Sequence, residues 1–232
     1  MTTLSIIIPV YNEEKFISKI LKRIDQVKID KEIIIIDDKS TDNSLEIIKN
    51  YILKRNDIKL IAKKKNSGRS QSLLEGIKIA SGEIIIPQDA DLEYDPNDYP
   101  KIIEPILNKK YKVVFGSRSM GIDGYAVDAF YATFGLRFLN WIQNFLFQTS
   151  YTDSCTCYIA MKNEIWKSID LSKTKNFTLN ATITSYLAKK KINVLEVPIR
   201  YHPRKWEDGK KVNIFRDGRE HIFTLIKERL SN

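Results

Sequence analysis

Four short apolar runs punctuate the first part of this chain: Leu4 to Pro9, Glu32 to Ile36, Ile58 to Ala62 and Glu83 to Pro87. Each is rich in isoleucine, and none alternates with polar residues, so none has a wet face. Such runs fit strands of a parallel sheet covered on both sides. Helical spacing fills the gaps between them. Phe16, Ile17, Ile20, Leu21 and Ile24 share one side of a helix predicted from about Glu13 to Gln26. Ser40-Thr41-Asp42 offers N-cap chemistry for a helix reaching about Leu53, and Leu73, Leu74, Ile77 and Ala80 line a helix from Arg69 that Gly82 ends. Strand and helix alternating in this way predict βαβ units and an α/β fold.

Ligands of open parallel sheets bind beyond the carboxyl ends of the strands. Those ends here are Pro9-Val10-Tyr11-Asn12-Glu13, Asp37-Asp38, Asn66-Ser67-Gly68-Arg69 and Asp89-Ala90-Asp91, so all are expected on one edge. Asp89 and Asp91 point the same way if the segment is extended, and Glu93 continues the row. Three clustered carboxylates repel unless a cation sits among them, and hard oxygen ligands suit Mg²⁺ or Mn²⁺, which in turn hold phosphates. Alone, the acidic pair reads equally well as the start of a surface loop. Asp38 is suited to accept hydrogen bonds from a base or ribose, and Arg69 to face phosphate or sugar. The chain holds neither G-x-G-x-x-G nor Gly-Lys-Ser/Thr, so dinucleotide binding and P-loop chemistry are unsupported.

Composition sets the frame. At 232 residues the chain makes most simply one domain with a C-terminal extension, and 43% apolar and 29% charged residues are globular values. The net charge of +9 points to an anionic partner, or merely to solubility conferred by lysine. Cys155 and Cys157 are too close in sequence for an ordinary structural disulfide, so a reducing compartment is expected. Leu4 to Val10 is too short for a signal-peptide core. The window Ala126 to Gln148 is interrupted by Asp128, Arg137, Asn140, Gln143 and Asn144, which argues against a membrane span. Tyr131, Phe134, Phe138, Trp141 and Phe145 form one aromatic stripe, expected to face the core, with a helix lying in a membrane interface as the sharper alternative.

Taken together, Ser5-Ile6-Ile7-Ile8-Pro9-Val10-Tyr11-Asn12-Glu13-Glu14, Ile36-Asp37-Asp38-Lys39-Ser40-Thr41-Asp42, Asn66-Ser67-Gly68 and Gln88-Asp89-Ala90-Asp91-Leu92-Glu93 resemble the inverting GT-A-fold glycosyltransferases of the family 2 type. Within them the chain looks most like the dolichyl- or polyprenyl-phosphate mannose synthases. That likeness rests on Val113-Val114-Phe115-Gly116-Ser117-Arg118, Thr152-Asp153 with Thr156-Cys157-Tyr158, Glu196-Val197-Pro198-Ile199-Arg200-Tyr201, and Asp208-Gly209-Lys210-Lys211 with Asp217-Gly218.

The resemblance implies a Rossmann-like, mostly parallel sheet flanked by helices. Residues 1–120 would be the nucleotide-sugar half and 121–232 the acceptor side of the same catalytic domain. It implies that Pro9, Tyr11, Asn12, Glu13 and Asp38 line the nucleotide pocket, joined as candidates by Gly68, Arg69 and Ala90. Asp89, Asp91 and Glu93 would hold the metal, and Arg118 the acceptor phosphate with help from Arg137, Arg204 and Lys210, while Arg204 and Lys210 would close over the pyrophosphate. Independently, Tyr201 to Val212 carries Arg204, Lys205, Lys210 and Lys211 with a glycine, the makings of a cationic lid or simply a solvated basic loop. Two departures stand out. Relatives carry acids where this chain has Asn180 and Thr182, and many append membrane-spanning helices that are missing here, so attachment to a bilayer falls to the Phe/Trp helix, basic residues or a membrane partner protein.

The expected reaction moves mannose or glucose from GDP-mannose or UDP-glucose to a polyprenyl phosphate, at the cytoplasmic face of a membrane. A competing reading sends the sugar to a soluble glycan or protein, which needs a carboxylate base, and Asp153 is the candidate. A non-catalytic nucleotide or nucleic-acid module is the third reading. Aromatic residues are not interleaved with Lys and Arg as in single-strand platforms, so no nucleic-acid partner is expected.

Overall fold

The computed structural model describes residues 2–53, 55–121, 130–175, 178–204 and 214–231, with side chains from 134 in the helix that starts at 130 and from 216 in the helix that starts at 214. Its elements run β1 (Leu4–Val10), α1 (Ile17–Gln26), β2 (Lys31–Asp37), α2 (Ser44–Ile52), β3 (Ile58–Ala62), α3 (Arg69–Ile79), β4 (Ile84–Pro87), α4 (Tyr99–Leu107), β5 (Val113–Ser117), α5 (Phe130–Phe147), β6 (Ile159–Lys162), α6 (Asn163–Ser168), α7 (Leu179–Lys189), β7 (Val194–Pro198) and α8 (Ile214–Leu230). The described strands form one sheet in the order β3-β2-β1-β4-β6-β5-β7. Only β6 runs against its neighbours, pairing antiparallel with β4 and β5, and it inserts between them.

Continuous apolar strands are what a doubly covered sheet requires. Leu4, Ile6, Ile8 and Val10 of β1 pack on one face with Ile17, Ile20, Leu21 and Ile24 of α1. Ile7, between them, points the other way and joins Leu73 and Ile77 of α3. Gly76 lets α3 lie this close, because a Cβ there would run into Ile7 and would meet Ile36 Cδ1 at 2.9 Å.

The predicted strands and helices are present; α1 and α2 start later than expected, while α3 starts at Arg69 as expected. Glu13 to Phe16 is a turn, the Glu13 carbonyl accepting the Phe16 and Ile17 N–H at 3.0 and 2.9 Å. Helix α2 begins at Ser44 with Asn43 as its N-cap, which makes no side-chain capping bond; Asp42 Oδ1, one residue earlier, accepts the Ser44 N–H at 2.9 Å.

The aromatic stripe is the clear correction. Phe134, Phe138, Trp141 and Phe145 are exposed by 66, 47, 59 and 65%, and the rings of Phe138, Trp141 and Phe145 stack along the helix surface. What α5 buries instead is polar. Gln143 is fully buried, with its Oε1 accepting from Thr184 of α7 at 2.9 Å. Asn140 Oδ1 and Asn144 Oδ1 accept the N–H groups of Ser154 and Tyr151, both at 2.9 Å. Amides that satisfy a loop's backbone turn inward, and the rings are left outside. The stripe's Tyr131 side chain falls outside the described set. No helix of the described residues is long and apolar enough to cross a membrane.

Candidate active site

Strand order reverses at β1, which lies between β2 and β4, and the chain leaving these strands builds one edge. Two loops there are stitched together. Asn12, held at φ 55°, accepts the Thr41 N–H on its Oδ1 at 2.8 Å, while its own N–H donates to Ser40 Oγ at 3.1 Å. The Glu13 N–H donates to Ser44 Oγ at 2.8 Å. Pro9 lies within β1 and Tyr11 is exposed just beyond it.

Asp38 has partners of its own. Its carboxylate accepts the N–H groups of Ser67 (3.0 Å) and Gly68 (2.7 Å) and pairs with Lys63 at 2.9 Å. Gly68 sits at φ 87°, a conformation that favours glycine, and this delivers its N–H to Asp38 as α3 begins. Asp38 therefore ties the end of β2 to the start of α3.

The acidic stretch after β4 is a turn rather than an extended row, with Leu92 at φ 66°. Its carboxylates separate accordingly. Asp89 Oδ1 accepts from Arg69 Nε at 2.7 Å; Asp91 Oδ2 lies 3.2 Å from Arg204 Nη2; Glu93 accepts the Tyr201 hydroxyl and the Arg204 N–H, each at 2.9 Å. Among the described residues no three acidic, histidine or cysteine side chains gather as a ready ligand set. Burial works against the Asp89 charge, but the Arg69 guanidinium holds its carboxyl below the ordinary range. Burial, then the charges of Asp89 and Glu93, push Asp91 up to about 7. Arg204 reaches across to Glu13 as well, at 2.9 Å to both carboxylate oxygens, with its guanidinium over the Phe16 ring.

Two side chains that the sequence does not single out as site residues, Gln88 and Cys157, lie against this turn. Gln88 is fully buried, accepting the hydroxyls of Tyr99 and Tyr158 at 2.5 and 2.6 Å and donating to the Asp89 carbonyl at 2.8 Å. The signal was available, since a glutamine closing an isoleucine run must find partners. Cys157 is buried with its sulfur 2.8 Å from Arg69 Nη2, and burial raises its thiol well above the usual range. Both cysteines are free thiols.

The far side of the edge is built around Arg118, just past β5. Its Nε and Nη2 donate to the two oxygens of Asp153 at 2.7 and 2.8 Å, and its N–H adds a third bond at 2.9 Å. The guanidinium also lies 5.1 Å from the Tyr201 ring centre. Glu196 accepts the N–H groups of Thr152 and Asp153 at 2.7 and 2.9 Å. Asn180 Nδ2 donates to the carbonyls of Ser154 (3.3 Å) and Thr156 (2.6 Å), a service an ionised acid cannot perform. Arg137 is exposed on α5 with no ion pair among the described residues. Lys205, Lys210 and Lys211 fall outside them.

The sequence profile of glycosyl transferase family 2 matches residues 5–169, which take in β1 through α6 and the whole edge as far as Asp153 and Cys157. The chain belongs to glycosyl transferase family 2. It is a glycosyltransferase with a GT-A-like sheet. The dolichol-phosphate mannosyltransferase of Pyrococcus furiosus is 36% identical over 116 residues, 49% of this chain and 32% of that protein. The undecaprenyl-phosphate 4-deoxy-4-formamido-L-arabinose transferase of Aeromonas hydrophila subsp. hydrophila is 33% identical over 115 residues, 47% of this chain and 35% of its own length. The match thus spans about a third of each relative. Among solved structures, glucosyl-3-phosphoglycerate synthase from Mycobacterium tuberculosis, in complex with Mg²⁺ and uridine-diphosphate, superposes with a TM-score of 0.71 at 16% identity, covering 98% of this chain and 79% of that one.

A divalent ion fits this glycosyltransferase's edge on the chemistry of the donors present. Mg²⁺ commonly takes one or two protein carboxylates and completes its shell with phosphate and water. Asp89 and Asp91 are such a pair, and a cation between them would offset the burial and the neighbouring charges that together lift Asp91.

Proposed function

We propose that this glycosyltransferase moves a hexose, mannose or glucose, from a nucleotide-diphosphate sugar to a polyprenyl phosphate, inverting the anomeric carbon. The nucleotide would lie along Pro9, Tyr11, Asn12, Glu13 and Asp38, with Gly68, Arg69 and Ala90 beside it. Mg²⁺ or Mn²⁺ held by Asp89 and Asp91, with Glu93 close by, would stabilise the departing diphosphate. An acceptor phosphate oxygen forms the new bond to the anomeric carbon as the bond to the diphosphate breaks, and the electron pair leaves with the nucleotide.

One observation carries the choice of acceptor. Among the described residues, the acids beside Arg118 that could serve as a base are engaged: Asp153 by the Arg118 fork, Glu196 by two backbone N–H groups, while an amide stands at Asn180. A neutral hydroxyl needs a base, whereas a phosphate monoester arrives ionised. Arg118, anchored by Asp153, and Arg204 would fix that phosphate, with Arg137 and Lys210 as further cations.

A lipid acceptor also gives the exposed rings a purpose. Phe134, Phe138, Trp141 and Phe145 of α5, with Phe223 and Leu230 of α8 exposed by 70 and 80%, present rings and alkyl chains outward while Asp217 and His221 turn inward. The chain would sit peripherally on the cytoplasmic face of a membrane, by these helices or through a partner protein. The test is sugar transfer from labelled GDP-mannose or UDP-glucose with Mn²⁺, offered polyprenyl phosphate, the free polyprenol and an oligosaccharide. Transfer to the phosphate alone, abolished in Asp91→Ala and Arg118→Ala, is expected. Full turnover in both variants, or preference for the oligosaccharide, overturns the scheme.

A further inference from the structure

We propose that Cys157, acting with Arg69, is a positioning residue that fixes the orientation of the Asp89 carboxylate for its metal; this rests on reading Asp89 as a ligand. The topology brings the thiol there. Because β6 runs against the other strands, its entry lies at the carboxyl edge, and its pairing of Ile85 with Met161 carries the preceding residues toward the turn after β4. The Cys157 backbone is clamped, its N–H donating to the Tyr94 hydroxyl at 3.0 Å. Its neighbours are held too, Tyr158 by Gln88 at 2.6 Å and Thr156 by Asn180 at 2.6 Å.

Three side chains then close a triangle. Arg69 donates from Nε to Asp89 Oδ1 at 2.7 Å and from Nη2 to Cys157 Sγ at 2.8 Å, so one guanidinium sets the thiol beside the Asp89 carboxylate. A sulfur accepting from a guanidinium directs its own hydrogen elsewhere, and the acceptor present is Asp89. A carboxylate's terminal torsion is broad and soft, so two donors from different directions are what hold it to one angle. Those donors come from α3 and from the entry to β6, so the acceptor side of the chain aims a carboxylate of the donor side. Outer partners of this kind are commonly worth ten- to a hundredfold in metal affinity, and since S–H is a weak donor the loss here is set lower, at about three- to tenfold.

Mn²⁺ binding, titrated by electron paramagnetic resonance on the full chain with nucleoside diphosphate present, reads this without turnover. Cys157→Ala, and Cys157→Val, which fills the space with apolar atoms, are expected to weaken Mn²⁺ by that factor at unchanged melting temperature. Cys157→Ser can both accept from Arg69 and donate to Asp89, and is expected to restore affinity to within about twofold. If Asp89→Ala weakens Mn²⁺ binding while Ala and Val at 157 do not, or if Ser behaves like Ala, the positioning role is overturned and the metal site stands. If Asp89→Ala leaves Mn²⁺ affinity unchanged, the reading of the site itself falls.

Discussion

Glu32→Gln removes one charge at the amino edge of the sheet, on the side opposite the site. In β2, paired with Ser5 of β1, Glu32 has a side chain only 9% exposed. Its Oε1 accepts from Ser5 Oγ (2.6 Å), the Ser81 N–H (2.6 Å), Ser81 Oγ (2.8 Å) and the Gly82 N–H (3.1 Å), and Oε2 pairs with Lys59 at 2.7 Å. Burial alone would raise this carboxyl, but Lys59 and the serine donors outweigh it and bring it from 4.5 down to about 2. That displacement is worth about 3 kcal/mol at neutral pH, nearer 2 when the half-exposed Lys59 is discounted for screening. The folded value lies below the unfolded one, so the contribution is complete above about pH 4.5 and drains away as pH falls toward about 2. Gln keeps an acceptor for Ser5, Ser81 and Gly82 and loses the charge together with the oxygen that faces Lys59. Urea midpoints at pH 7 should therefore place the variant about 2–3 kcal/mol below the parent, and at pH 3 only about 1 kcal/mol below. Sugar transfer by the folded variant should be unchanged. A gap of equal size at both pH values would refute the electrostatic account and assign the loss to packing.

Gly76→Ala should cost about 1–3 kcal/mol in the same urea assay, because the new Cβ collides with Ile7 and Ile36 and must lift α3 from the sheet. Phe138→Glu with Trp141→Glu should abolish sedimentation with anionic polyprenyl-phosphate vesicles while leaving the melting temperature in place, since both side chains already face solvent; vesicle binding that survives both substitutions would remove α5 from the membrane face.

The donor side of the fold was legible because periodicity and topology speak to the same thing there. Leu4 to Pro9 and Glu32 to Ile36 are apolar apart from Ser5 and Glu32, which satisfy each other, for the reason the sheet then displays: both faces are covered, with Ile6 and Ile7 serving opposite clusters. Once the strands are parallel, the polar residues at their ends share an edge by construction. The same logic misled at α5. A stripe of rings is a spacing, and spacing does not say which side faces in. That was decided by Asn140, Gln143 and Asn144, whose amides are needed by Ser154, Thr184 and Tyr151, residues distant enough in sequence that no local pattern couples them.

The site divides along the same line. Which acids reach the edge follows from strand ends, but which cation each one meets depends on strands that return from elsewhere. Arg69 was read as facing phosphate or sugar, yet β6 enters antiparallel and sets Cys157 beside it, so its fork is shared between Asp89 and a sulfur. Arg204, expected at both the pyrophosphate and the acceptor phosphate, reaches Glu13 and Asp91 because Tyr201 bridges Tyr94, folding the chain that leaves β7 back over the turn. In this arrangement Asp89 and Asp91 each already have a guanidinium for a neighbour. A divalent ion at these carboxylates must share them with Arg69 and Arg204, and Arg204 comes from the segment that is to meet the acceptor. On the proposed reaction, loading the donor and freeing a cation for the acceptor phosphate would be coupled through Asp91, whose contact with Arg204 neither the acidic pair nor the basic segment discloses when read alone.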